Sequence, residues 1–368
     1  MHIPDGYLSP TTCAAFYAGS TPFWYVALQR VKRVLHTKLV PLISLFSAFC
    51  FLIMMFNLPL PGGTTGHAVG IGLATVVLGP WAAMLAVSVA LIIQALFFGD
   101  GGITAIGANC FNMAIVGSLV AYVFYRAIAG RSPIISFRRV VAAGLAGYAA
   151  INVSALFAAI EFGVQPLLYK DASGAPLYCP YPLSVSIPAM MIGHLTIAGM
   201  AELIVSAGLV AFLQWSDPSL LKTTALKATA GNAVTLEGPS RPHKARSLQP
   251  IWIGLCVLMI LTPLGILATG TAWGEWMASD FSNPAVREQI ADSSLHQAAP
   301  AQAPQGLEQM SQVWTAPFSR YAPPYIRSAG FGYLLSAMFG AGLVMLACFL
   351  VARLMRGFVV ERAREPAT

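Results

Sequence analysis

The chain begins Met1-His2-Ile3-Pro4-Asp5-Gly6-Tyr7-Leu8-Ser9-Pro10, which sets three nitrogen donors side by side: the Met1 amine, the His2 amide and the His2 imidazole. All three can close on one metal ion, through a five-membered ring at the amide and a six-membered ring at Nδ1. The amide binds only when deprotonated, which Ni²⁺ and Cu²⁺ promote in a square plane, so the set points to those geometries rather than to Zn²⁺. Histidine in second place fills three equatorial positions, and a fourth donor must come from elsewhere. The alternative is an ordinary N-terminus that has histidine second. The bulky His2 leads us to expect that the initiator methionine is retained. Neither the basic start and apolar run of a secretory signal nor the second-place glycine of a lipidation signal is present. Pro4 and Pro-Asp-Gly turn the chain and keep this terminus out of the first helix.

Elsewhere the chain is built of apolar runs. Of its 368 residues 57% are hydrophobic and 10% charged, with mean hydropathy +0.70, which places it among integral membrane proteins. Runs this long specify helices rather than the short alternating strands of a barrel. The six cysteines form no CxxC pair, so neither a zinc ribbon nor a disulfide framework is expected.

Spans are expected at 39–58, 80–98, 105–125, 140–163, 186–214, 250–271 and 330–352, with a short crossing at 67–79 cut off by Gly79-Pro80. Residues 11–29 form either a short span or an interfacial helix. The fold class is therefore all-α: a polytopic helical membrane protein of about seven spans plus two C-terminal spans. With the N-terminus outside, four segments on the inner side hold 17 of the 21 Lys and Arg, leaving Lys170, Arg287, Arg320 and Arg327 outside. That asymmetry is the positive-inside rule, so the net charge of +7 calls for no nucleic acid.

This topology puts His67 on the same side as His2. It follows the Gly-rich turn Gly62-Gly63-Thr64-Thr65-Gly66, at an interrupted helix start where backbone and ligand can approach closely. His67 is either the fourth metal ligand or an interfacial histidine bonded to a loop carbonyl.

MHIPDGYLSP, GHAVGIGLATVVLGP (66–80) and ALIIQALFFGDGGITAIGANCFNMAIVG (90–117) resemble the cobalt/nickel substrate-binding component of energy-coupling factor transporters, of the cobalamin-biosynthesis cobalt-transport type. The resemblance covers roughly residues 1–215. It implies a metal held by the Met1 amine, the amide and imidazole of His2, and His67. It also implies Co²⁺ or Ni²⁺ as the transported substrate, cobalt slightly ahead, with no tightly held cofactor. The implied partners are a transmembrane coupling component and two cytoplasmic ATPase subunits, in a prokaryotic inner (plasma) membrane with the N-terminus outside and the C-terminus inside. Two departures stand out. The family loop often carries Ser and Cys before its histidine and Pro after it, where this chain has Thr64-Thr65-Gly66-His67-Ala68. A frequent His-Gly-Gly is replaced by Asp100-Gly101-Gly102.

Residues 250–357 resemble the small two-span accessory component of such systems, through TPLGILATGTAWGEW (262–276) and Gly306-Leu307-Glu308. The expected organisation is a metal-binding membrane domain at 1–215, a polar basic linker at 216–248 and an accessory region at 249–368 with an outer loop at 273–328. The linker would let the accessory spans move independently, so this region is expected to act on the transport cycle and leave the metal's ligands alone.

Thr64 and Asn109 could orient a metal-bound imidazole. Gln94, Asn109 and Asn112 could equally make interhelical hydrogen bonds of about 1 kcal/mol each, with Asn109 and Asn112 sharing a helix face at i, i+3. Glu202 is placed for packing against a partner subunit. Other readings are a stand-alone permease and an intramembrane metalloenzyme. Few membrane carboxylates are available for a proton relay, essentially Glu161 and Glu202, and no HExxH is present. The chain has no GxxxxGK[ST] loop to hold ATP, so any ATP-driven step needs partners.

Overall fold

Proline and glycine set most of the element boundaries in this computed structural model, which describes residues 1–33, 39–224 and 249–362. The first helix, α1 (Pro10–Arg33), is followed by α2 (Leu39–Met54), and then by a hairpin of β1 (Leu58–Leu60) and β2 (Thr64–Gly66) paired Leu58 to Gly66. Next come α3 (Ile71–Leu78), α4 (Pro80–Ile93), the single turn α5 (Ile106–Asn109), α6 (Gly117–Ala129), α7 (Phe137–Leu168), α8 (Leu183–Gly193) and α9 (Gly199–Ser216). The C-terminal part contributes α10 (Gln249–Leu261), the outer-loop helices α11 (Pro284–Ser293) and α12 (Gln305–Met310), and α13 (Ala329–Arg362).

Among the described residues six helices are long and apolar enough to cross a membrane: Pro80–Phe98, Ile106–Ala129, Phe137–Leu168, Leu183–Ser216, Gln249–Leu267 and Ala329–Leu354. The apolar α2 has 16 residues, and α1 has 24 but is less apolar. The short crossing expected at 67–79 is not a full one. Its helix is eight residues, about 12 Å, against about 30 Å of hydrocarbon, and His67 precedes it in a loop instead of opening it. The all-α expectation holds apart from the hairpin, where Pro59–Gly66 pairs as two short strands instead of merely breaking the chain.

Three π-helical segments, Gln94–Phe98, Cys110–Val116 and His194–Ala198, interrupt the long helices. The second begins just after Asn109 and shifts the side-chain register, so Asn109 and Asn112 do not act as a pair. Asn109 bonds the backbone of Ile3, and Asn112 donates to Glu161 on α7 at 3.0 Å.

At one end of the bundle the loops fold together. Gly102 N donates to Ile3 O at 2.8 Å, Cys179 N to Tyr7 O at 3.1 Å, Gly306 N to Leu177 O at 2.8 Å and Phe318 N to Phe97 O at 2.9 Å. The loop 273–328 thus sits directly on the N-terminal residues and the loops beside them. Gly270 (φ 109°) lies so close to the hairpin that a Cβ there would meet Gly63 O at 2.2 Å. At the opposite end Arg30 stacks over Trp81 and Arg139 donates to the carbonyls of Ser132 and Pro133.

The C-terminal spans are not free of the rest. α13 packs along α2, and Cys348 Sγ lies 3.4 Å from Ser47 Oγ. In this structure the C-terminal pair expected to move independently is packed against the first 215 residues through apolar and backbone contacts. Most of the 216–248 linker lies outside the described residues, as do His36 and His243.

Candidate metal centre

The N-terminal segment is fixed before any metal is considered. Asp5 accepts from Ile103 N at 3.1 Å and from the amide and hydroxyl of Thr104. Asn109 accepts from Ile3 N at 2.8 Å and donates to Ile3 O at 3.1 Å, so one side chain holds both backbone polar groups of the residue after His2. Gln165 accepts from Ser9 N at 3.0 Å. Gly102 permits this approach, since a Cβ there would lie 2.2 Å from Asp5 N. Together these bonds hold the first residues inward, with Met1, His2 and Ile3 all buried.

Met1, His2 and His67 come together. The rings of His2 and His67 are 5.2 Å apart between centroids. His67 Nδ1 lies 3.1 Å from Ala68 O; with the ring donating there, Nε2 keeps its lone pair for a metal. His2 is 0% exposed, yet neither of its ring nitrogens has a hydrogen-bond partner. Asp100 Oδ1 approaches Nδ1 to 3.0 Å but outside hydrogen-bond geometry. A buried imidazole without a well-formed hydrogen bond is one that a metal ion could satisfy, and Asp100 and Gln94 are the polar side chains that border it.

Burial pushes His2 down to about 4 against a smaller upward pull from Glu275. It pushes His67 down to about 3, with the His2 ring and the terminal ammonium adding to the effect. Both rings are therefore neutral at pH 7, the form that ligates. Among the described residues no group of three or more His, Cys, Asp or Glu side chains is arranged to hold a metal. A site here must draw on backbone and terminal nitrogens, as the order Met1-His2 allows.

The other two sequence candidates act differently. Asn109 orients the N-terminal backbone and no imidazole. Thr64 donates to Pro61 O at 3.4 Å inside the hairpin turn, while the imidazole it was expected to orient is held by Ala68 O.

Three acidic residues were missed or misplaced. Glu202, expected at a partner surface, is fully buried. Its Oε2 accepts from Val69 N and Gly70 N at 2.8 Å each and its Oε1 from Gly72 N at 3.1 Å, at the N-terminal end of α3. A carboxylate is favoured there by the helix dipole, and it fixes the turn that follows His67. Glu275, in the WGEW stretch, accepts from the Met1 amine at 3.3 Å and the His2 amide at 3.0 Å through one oxygen. Asp100, set where the family often carries histidine, is held by Tyr321 and Gln94. The C-terminal region, expected to stay clear of the proposed ligands, therefore contacts Met1 and His2 in this structure through Glu275. The available signal was an acid within a Trp/Gly motif of a loop predicted to lie outside, but nothing in the sequence pairs it with residue 1.

One consequence is testable at once. Glu202→Ala leaves three N–H groups of the His67 turn without an acceptor, at about 1–3 kcal/mol each before relaxation. We expect metal affinity to fall at least tenfold, with Glu202→Gln intermediate because its one carbonyl can still accept. Metal titrations monitored by thermal unfolding measure this, and equal affinity in all three proteins would count against a positioning role.

Fold and donors together define a multi-pass membrane protein suited to a transition-metal ion. A family model described as the cobalt uptake substrate-specific transmembrane region matches residues 2–220, and a PDGLE domain model matches residues 248–357. The chain belongs to the first of these families and is a metal-transport protein rather than an enzyme. It is 53% identical over 354 residues to the fused nickel transport protein NikMN of Rhodobacter capsulatus, covering 96% of this chain and 98% of that protein. It is 42% identical over 341 residues to the probable fused nickel transport protein LarMN of Lactiplantibacillus plantarum, covering 92% and 93%. The crystal structure of a truncated transition metal transporter is 50% identical with a TM-score of 0.55, over 58% of this chain and 98% of that one.

Proposed function

We propose that this chain is the membrane-embedded capture subunit of an ATP-driven, energy-coupling-factor-type importer, taking Ni²⁺ ahead of Co²⁺. The ligands are the Met1 amine, the His2 amide nitrogen, His2 Nδ1 and His67 Nε2. The observation that carries this reading is the fully buried His2 ring, centred 5.2 Å from the ring of His67 and set on a terminus whose own residue, Met1, is buried beside it.

Capture requires the terminal ammonium and the amide each to release one proton, while the imidazoles enter already neutral. Four nitrogens with a deprotonated amide impose a strong planar field, which suits Ni²⁺. The family model is described by cobalt uptake, but the two relatives above, which match over nearly their whole length, are named for nickel, and this favours the order with nickel ahead. ATP hydrolysis falls to two cytoplasmic ATPase subunits acting through a transmembrane coupling protein. In a prokaryotic inner membrane, the positive-inside rule sets the N-terminus outside and the C-terminus inside.

Uptake of radioactive Ni²⁺ by cells carrying the full system should stop when the ATPases are deleted, and unlabelled Co²⁺ should compete more weakly than Ni²⁺. Uptake that persists without the ATPases would favour a stand-alone permease. Orientation is checked by cysteine labelling: a cysteine at Ser173 should react from outside and one at Arg131 only from inside. The reverse pattern would invert the topology.

A further inference from the structure

The nitrogen donors are more deeply buried than two carboxylates that border them. Met1, His2 and His67 are 3%, 0% and 6% exposed, whereas the side chains of Asp100 and Glu275 are 16% and 20% exposed. Both acids face His2: Asp100 Oδ1 is 3.0 Å and Glu275 Oε1 4.0 Å from Nδ1. Among the described residues neither forms an ion pair with Lys or Arg, and the one cation in contact is the terminal ammonium, 3.3 Å from Glu275. Two carboxylates against one ammonium leave a net negative mouth above neutral imidazoles. The C-terminal region builds most of it, supplying Glu275 itself and Tyr321, whose hydroxyl donates to Asp100 Oδ2 at 2.5 Å.

Glu275 also stands in the way. The His2 amide points its N–H at Oε1, 3.0 Å away. After deprotonation the lone pair points along the same line. A metal bonded to that nitrogen would sit about 2 Å along it, and a linear N–metal–O arrangement needs about 4 Å from N to O. Glu275 and an ion in the nitrogen plane cannot both keep these positions.

Taking the four-nitrogen site as its premise, we propose that Asp100 and Glu275 form a receiving site of oxygen ligands for the incoming hydrated divalent cation, and that Glu275 withdraws from the N-terminal donors as the ion drops into the nitrogen plane. Loading is thereby transmitted to the C-terminal region, because Glu275 belongs to it and lies between Trp273 and Trp276, whose rings meet each other edge-on and pack against Tyr181. His2 Nδ1 borders both carboxylates, 3.0 Å from Asp100 and 4.0 Å from Glu275.

The test is stopped-flow binding of aqueous Ni²⁺ to the full chain in lipid nanodiscs, followed by the absorption of square-planar Ni²⁺. Compared with the unaltered chain, Glu275→Gln and Asp100→Asn should each slow association about tenfold or more at low ionic strength, the order expected for a focusing charge. The final spectrum should be unchanged in both. Salt should slow the unaltered chain more than either variant. Association at the original rate in both variants would overturn the inference. So would loss of the planar spectrum in Glu275→Gln, which would make Glu275 a permanent ligand. If the unaltered chain gives no planar spectrum at all, the four-nitrogen site itself fails, and that result is distinct from either of these.

Discussion

A short histidine-free extension, such as Gly-Ser-Gly left uncleaved ahead of Met1, is expected to abolish high-affinity Ni²⁺ binding while the protein still folds and inserts. The extension converts the amine into a peptide nitrogen and forces residues into a pocket where Met1 is only 3% exposed. Both effects remove the amine, and with it the ring that anchors the deprotonated amide. A loss of about 4 kcal/mol, or about a thousandfold in affinity, is expected. Calorimetric titration of the extended and authentic proteins measures it. A single inserted residue is a poorer probe, because it places histidine third and creates four consecutive nitrogen donors that could bind Ni²⁺ without His67. Undiminished affinity in the extended protein would remove the amine from the ligand set.

His67→Ala is expected to have the next largest effect. Nitrogen-rich and sulfur-rich four-ligand sites bind with about 10–16 kcal/mol in all, so one ligand accounts for about 3 kcal/mol, or more than a hundredfold. Without metal, the substitution removes one hydrogen bond to Ala68 O and a buried ring, so the variant should still fold. Metal-dependent thermal stabilisation at micromolar Ni²⁺ should therefore disappear, with little change in the metal-free melting temperature. Stabilisation that survives would identify His67 as a structural histidine bonded to its loop.

Much of this arrangement was legible in the sequence, for local reasons. The order Met1-His2 sets three nitrogen donors side by side on its own, and the basic segments led to His67 being expected near His2, where the two rings lie 5.2 Å apart. Helical spans were readable from apolar runs, and Gly79-Pro80 marked the break after α3. What escaped depends on distance along the chain. Glu275 meets the amine across 274 residues and Glu202 meets Gly70 across 132, and neither spacing leaves a periodic trace. The π-helical segment after Asn109 defeated the i, i+3 argument, since that spacing assumes an unbroken α-helix. Thr64 was adjacent to the right histidine, but its hydroxyl satisfied its own turn. The accessory region was read as separate because its linker is polar and long, whereas backbone hydrogen bonds from Gly306 and Phe318 draw its outer loop onto the site.

The central claim is the set of four nitrogens, and X-ray absorption at the nickel edge of the purified, Ni²⁺-loaded full chain tests it most directly. The account predicts one ion per chain, four nitrogen neighbours at a single short distance, imidazole scattering from two rings, and the pre-edge feature of a square plane. A six-coordinate, oxygen-dominated spectrum, or one with scattering from fewer than two imidazoles, would contradict it.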